Sequence, residues 1–276
     1  MIKTSPASDN CQDFQAVVES GDMLDMGQGP EAIVFLHGLF SSPQHWRPIM
    51  VDLADRYRVI APQLPVDQRP GRRRGGIQSI DELGDYVGHL IEELDLGQFV
   101  ICGNSLGGLI AIEYCLRYPN RAAGLVLAGS AGLYERGLTN RVRPRPTRAF
   151  VRTMASDILY DKNLITDQLV DEWYGALLDR DYVRFVLRVS RATRDRSVKD
   201  ELDRLKLPTL MIWGRNDEIT PPAVGKEFQS RIDDAELRII DNCGHAPNLE
   251  HPAAFTLILQ EFLSRHMPIE ASAATG

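Results

Sequence analysis

The stretch Gly103-Asn104-Ser105-Leu106-Gly107 sets one hydroxyl between two glycines, with the apolar run QFVICG leading in and LGGLIAIEYCLRYP leading out. A serine in G-x-S-x-G between a strand and a helix is the arrangement of a nucleophile elbow. Reversing directly from strand to helix forces Ser105 into a sparsely populated backbone conformation. Side chains at the flanking positions would collide there, and glycine has none. The turn lifts the hydroxyl to a helix N-terminus, where free N–H groups and the helix dipole favour negative charge. The chemistry that this pattern suits is attack of Ser105 on a carbonyl.

A serine hydroxyl needs a base, and the base needs an orienting acid. Of six histidines, His245 in IIDNCGHAPNLEHP follows a strand-like run and lies in a loop between Gly244 and Pro247. That puts it at the same end of a sheet as Ser105. His45, after the HGLFSS loop, is the second choice. His89 reads as a solvated helix residue, and His251 and His266 fall at the start and end of the last helix. The acid is expected at another strand end, before the histidine in chain order, and Asp217 in LMIWGRNDEITPP fits. Glu218 and Asp241 remain alternatives. The oxyanion of a tetrahedral intermediate needs N–H donors, for which the backbones of Leu106 and Leu39 are candidates, with Phe40 the neighbouring choice. His37 is read as holding that loop through hydrogen bonds.

These groups need a scaffold that ends several strands on one rim. AIVFLHG, RVIAP, QFVICG, GLVLAGS, TLMIWG and ELRIID are continuous apolar runs of the kind buried on both faces of a parallel sheet. Helical patterns separate them. Ser79-Ile80-Asp81-Glu82 forms a capping box ahead of Leu83, Tyr86, Val87, Leu90, Ile91 and Leu94. A second helix runs from Leu109 to Tyr118, and a terminal one from Ala253 to Arg265. A hairpin around Gly21-Asp22 precedes them. The alternation predicts an α/β fold: a mostly parallel twisted sheet of about eight strands with helices on both faces. It breaks over 132–205, which has no strand-like run and carries TDQLVDEWYGALLD with Thr166 as N-cap. This predicts a core domain of 1–131 and 206–276, its extreme ends disordered, and a helical cap of 132–205 over the carboxyl ends of the strands. Within the cap, Trp173, Tyr174, Leu177, Leu178, Phe185 and Val186 are apolar. Phe40, Trp173 and Phe185 are the pocket candidates.

FLHGLFSS, GNSLGG, WGRNDEITPP and CGHAPNLEHP, in this order, resemble the α/β-hydrolase family over about Gln15 to Arg265. The chain is similar to the serine-nucleophile branch holding carboxylesterases and meta-cleavage-product hydrolases, with a helical cap. The resemblance implies Ser105 as nucleophile, His245 as base and Asp217 as orienter. Aspartate-nucleophile members are disfavoured by Ser105. The carbon–carbon hydrolases of this branch usually carry an aromatic residue near the base and a cap arginine for the substrate carboxylate. Here HAPNLE supplies proline and asparagine, and Trp173 falls where that arginine would stand. Arg188 and Arg191 are possible substitutes.

The expected function is therefore hydrolysis of a small to medium carboxylic ester or related acyl compound. Carbon–carbon hydrolysis is the alternative, and a non-catalytic ligand sensor the second alternative. Neither a metal nor a cofactor is called for. A net charge of −7 argues against nucleic acid or anionic membrane as partner, so the expected partner is a small acyl molecule. No apolar run reaches membrane-spanning length, and the first residues lack a secretory pattern, which predicts a cytoplasmic protein. Cys11, Cys102, Cys115 and Cys243 lack metal-finger spacing and read as reduced thiols. The arginines 141, 143, 145, 148 and 152, and the RPGRRRGG loop, read as solvated surface.

Overall fold

A computed structural model describes residues 23–66, 79–136 and 146–267. Among these, seven strands form one sheet in the order β1-β3-β2-β4-β5-β6-β7. They are β1 (Met23–Met26), β2 (Ala32–Leu36), β3 (Arg58–Pro62), β4 (Phe99–Asn104), β5 (Gly124–Ala128), β6 (Thr209–Gly214) and β7 (Ala235–Ile240). β1 pairs antiparallel with β3 at one edge, and every other pairing is parallel. The apolar runs explain this. Alternate residues of one strand serve different layers, as a period of two requires. Ile33 and Phe35 pack with Trp46, Ile49 and Phe255 on one face, while Val34 and Leu36 pack with Leu83, Leu109 and Ile110 on the other. The expected first hairpin strand, the RPGRRRGG loop, arginines 141, 143 and 145, Cys11 and both chain ends lie outside the described residues.

Helices α1 (Arg47–Leu53), α2 (Ile80–Glu93), α3 (Leu106–Arg117), α7 (Pro222–Arg231) and α9 (Pro252–His266) cover the sheet. The backbone N–H of Glu82 donates to the Ser79 hydroxyl at the start of α2, as the capping box predicts. Between β5 and β6 come α4 (Arg148–Ile158), α5 (Asp167–Leu178) and α6 (Arg180–Asp195). Thr147, Thr166 and Asp179 each cap one of them through a side-chain oxygen. Their apolar faces gather Val151, Met154, Trp173 and Tyr182 with Phe40, Ile219 and Ala246 from the strand-end loops. The short α8 (Pro247–Glu250) precedes α9. No described helix is long and apolar enough to cross a membrane. Cys102, Cys115 and Cys243 are buried and unpaired.

Candidate active site

Ser105 joins β4 to α3 with φ +54° and ψ −119°, a conformation that side-chain-bearing residues rarely adopt. A Cβ on Gly107 would run into the Leu36 carbonyl, so α3 can start against the end of β2 only with glycine there. The strained turn is braced by hydrogen bonds: the Ser105 N–H donates to Ala128 O at 3.0 Å, and its carbonyl accepts from Ala131 N at 3.1 Å. Leu106 opens α3, where the N–H groups of a first turn have no carbonyl one turn earlier. Phe40, in the loop after β2, also has positive φ, +57°. Leu39, Phe40 and Leu106 line one cavity with Ser105 and His245.

The loop after β7 brings His245 across that cavity. Its Nε2 accepts from the Ser105 hydroxyl at 2.9 Å. Its Nδ1–H donates to Asp217 Oδ2, also at 2.9 Å. A carboxylate can only accept, and this fixes the tautomer. The Asp217 side chain is fully buried. Its Oδ1 accepts from the N–H groups of Ile219 at 2.8 Å and Thr220 at 2.9 Å. Burial by itself would depress the imidazole pKa. The charge of Asp217 and its hydrogen bond, with Glu135 and Glu250 further off, outweigh that and raise it.

The remaining candidates separate cleanly. Glu218 pairs with Arg136 at 3.0 Å, and Asp241 pairs with Arg215 on the surface, so neither reaches the imidazole. His45 lines the cavity, but its Nδ1 meets the Ser41 hydroxyl at 2.8 Å. Burial lowers its pKa, with Glu172 opposing. His37 braces its loop: Leu64 N–H donates to Nε2 at 3.0 Å, which leaves Nδ1–H to donate to Gly38 O at 2.9 Å. Trp173 lines the cavity with its ring 5.5 Å from that of Phe40. Phe185 corrects the expectation for it. It is buried in the main core with Val189, on a face of α6 turned towards the sheet-covering helices, while Ser190 and Thr193 face the cavity. Arg188 and Arg191 are not among the lining residues.

Three supporting groups escaped the sequence reading. The Asn104 amide donates to Ala128 O at 2.9 Å and to His245 O at 3.1 Å, tying the histidine loop to β5. The Thr220 hydroxyl lies 2.9 Å from Asp217 Oδ2, 3.1 Å from Gly129 O and 3.2 Å from His245 Nδ1. Gly129, at φ +51°, leaves room for the pair, since a Cβ there would meet His245 O at 2.9 Å and Asp217 Oδ2 at 3.1 Å. Glu135 also lines the cavity and lies only a few residues past β5, in a stretch read as the start of the cap. No group of three or more His, Cys, Asp or Glu side chains among the described residues could hold a metal.

Comparison with known proteins follows this geometry. The profile described as Alpha/beta hydrolase family matches residues 33–256. A 2-hydroxymuconate semialdehyde hydrolase of Pseudomonas sp. (strain CF600) is 30% identical over 257 residues, 88% of this chain and 90% of that one. A solved meta-cleavage product hydrolase from Pseudomonas fluorescens IP01 is 27% identical with a TM-score of 0.76, covering 88% of this chain and 93% of its own. A thermophilic esterase from Thermogutta terrifontis superposes with a TM-score of 0.75 at 23% identity, covering 88% and 93%, a likeness of fold alone.

Proposed function

The chain belongs to the alpha/beta hydrolase family and is a serine hydrolase of that fold; we propose that Ser105, His245 and Asp217 are its catalytic triad. The observation that carries this is the unbroken relay from hydroxyl to imidazole to carboxylate, with both links at 2.9 Å. Ser105 Oγ attacks the substrate carbonyl while His245 Nε2 takes its proton. Asp217 holds the tautomer and stabilises the imidazolium. The oxyanion is met by the N–H groups of Leu106 and Leu39. Collapse of the tetrahedral intermediate sends the bonding electrons to the leaving atom, which takes the proton from His245. Water activated by His245 then frees Ser105 from the acyl group. Helices α4 to α6 act as a cap beside the cavity and help choose the substrate. A ligand-sensor role has no need of so complete a relay.

For the bond that is cut, the relatives favour the alternative over the ester. Both the semialdehyde hydrolase and the 27% identical solved enzyme belong by name to the carbon–carbon cleaving branch. We therefore put hydrolysis of a carbon–carbon bond beside a ketone first. The ester remains the second reading because of the cavity itself. Arg136 is the only arginine or lysine among its described lining residues, and it is paired with Glu218. Trp173 stands in the lining instead of a further cation for a substrate carboxylate.

The test is kcat/KM for a 2-hydroxy-6-oxo-dienoate beside a panel of p-nitrophenyl esters, with Ser105→Ala as control. Faster dienoate turnover, lost in Ser105→Ala, is expected. Turnover of esters alone makes the ester the reaction, and full activity in Ser105→Ala rejects the triad.

A further inference from the structure

Most polar groups lining the cavity already have a partner within the protein. Ser105 and His245 hold each other. Asn104 is bound to two carbonyls, Ser41 to His45, Arg136 to Glu218, and the Thr193 hydroxyl to Val189 O at 2.8 Å. Glu135 differs. Its carboxyl has no hydrogen bond or ion pair among the described residues, although it lines the same cavity as the reacting hydroxyl. Asn248 is the second exception. It is in the lining, the residue is 2% exposed, and its Oδ1 has no partner among the described residues. Both unmet groups are acceptors. A carboxyl removed from water without a donor is costly, and the cost falls when a ligand brings one.

We propose that Glu135 is a specificity-determining residue whose carboxyl receives a hydrogen-bond donor of the substrate, a hydroxyl or an ammonium group, near the bond that is cut. This rests on the serine-hydrolase reading of the site, but not on which bond is broken. The position suits the role. Glu135 follows the end of β5, the strand that also braces Ser105 through Ala128. It lines the cavity that holds Ser105 and His245, and its charge couples to that of His245. Burial pushes its own pKa up, with His245 and Arg194 pulling the other way, as expected of a carboxyl held partly from water. Asn248, on α8 directly after the histidine loop, offers a second, weaker acceptor in the same lining.

The test uses the whole chain and p-nitrophenyl alkylphosphonates, which transfer phosphorus to a reactive serine and release one p-nitrophenol per site. The alkyl chain ends in methyl, hydroxyl or ammonium, in a graded series of lengths. The second-order rate constant of wild type is expected to favour a donor-ended probe over its methyl counterpart by about 10-fold or more at one chain length, the worth of a hydrogen bond to a charged group. Glu135→Leu is expected to lose that preference. Glu135→Gln, which keeps size and an acceptor but not the charge, is expected to lose the ammonium preference and keep part of the hydroxyl one. No donor preference in wild type at any length overturns the proposal, and so does an undiminished preference in either folded variant's affected probe. A uniform loss of rate for all probes in the variants, with the ratio unchanged, marks a structural role and also overturns it. A wild-type protein that no probe labels at Ser105 defeats the serine-hydrolase reading, and the proposal with it. Because wild type alone must show the preference, a variant that fails to fold does not shield the idea.

Discussion

Asp217, just past β6, is held by two backbone N–H groups, a hydroxyl and an imidazole, whereas Trp173 on α5 is held by the apolar groups it meets. The contrast extends to the two regions. At the sheet rim, the polar side chains are tied to one another and, through Asp217 and Asn104, to backbone of the strand-end loops and of β5, so their positions are fixed by hydrogen bonds. Between β5 and β6, α4 and α5 are joined by exposed ion pairs such as Arg148–Asp171 and Arg152–Asp167. Such pairs are screened by water and contribute little. Polar ties between the regions include Glu250, which accepts from Gly244 N–H at 2.8 Å on the histidine loop and from Tyr160 N–H at 2.7 Å just past α4, and His245 N–H, which donates to Ile158 O at 2.8 Å. The rim is held by hydrogen bonds, and the helices between β5 and β6 by apolar packing.

Breaking the rim has the largest expected effect. Asp217→Asn leaves the shape but offers the imidazole the wrong tautomer, and kcat is expected to fall by about 10⁴-fold. The pH profile should change with it. In the proposed triad His245 can act as a base only when neutral, and its pKa is raised above the ordinary 6.5. Activity in wild type should therefore rise with pH along a limb above that value. Removing the Asp217 charge should move the limb towards lower pH, as read from kcat/KM across pH. Next comes Gly129→Ala, whose added methyl meets His245 O and Asp217 Oδ2 at a backbone conformation already unfavourable for alanine. A shift of about 1 Å between acid and base can cost about 10²-fold, and steady-state kinetics should find a kcat loss of that order.

Two aromatic residues of the cap stretch then sharpen the comparison. Phe185→Ala empties a core position and should lower stability by about 3–5 kcal/mol in denaturant unfolding. Trp173→Ala, at the cavity wall, should act on KM and substrate preference more than on kcat. The smallest effect is expected for the exposed pair Arg152–Asp167, whose coupling in a double-mutant cycle should stay below about 1 kcal/mol.

The same contrast explains what is legible in the sequence alone. Ser105, Asp217 and His245 each follow a continuous apolar run, so the end of the strand locates them without knowledge of any side-chain orientation. Phe185 is a pocket candidate in the sequence as an apolar residue of the 132–205 stretch, yet apolar character gives no direction. A rotation about α6 decides whether Phe185 or Ser190 meets the cavity. Asn104 and Thr220 are small polar residues in turns, and their roles depend on partners more than twenty residues away or on the fold of the acid loop. Glu135 was hidden by the boundary at 132, which assigned it to the cap. The reaction follows the same pattern: hydrolysis is legible at the rim, while HAPNLE and Trp173 put the ester first in the sequence and the relatives favour the carbon–carbon bond.

The most direct measurement is intact-mass analysis after reaction with a fluorophosphonate, followed by peptide mapping, on wild type and Ser105→Ala. One adduct per chain at Ser105, formed faster as His245 loses its proton and absent from the folded variant, is the predicted result. Labelling at another residue, or no labelling of a folded wild-type chain, would contradict the account.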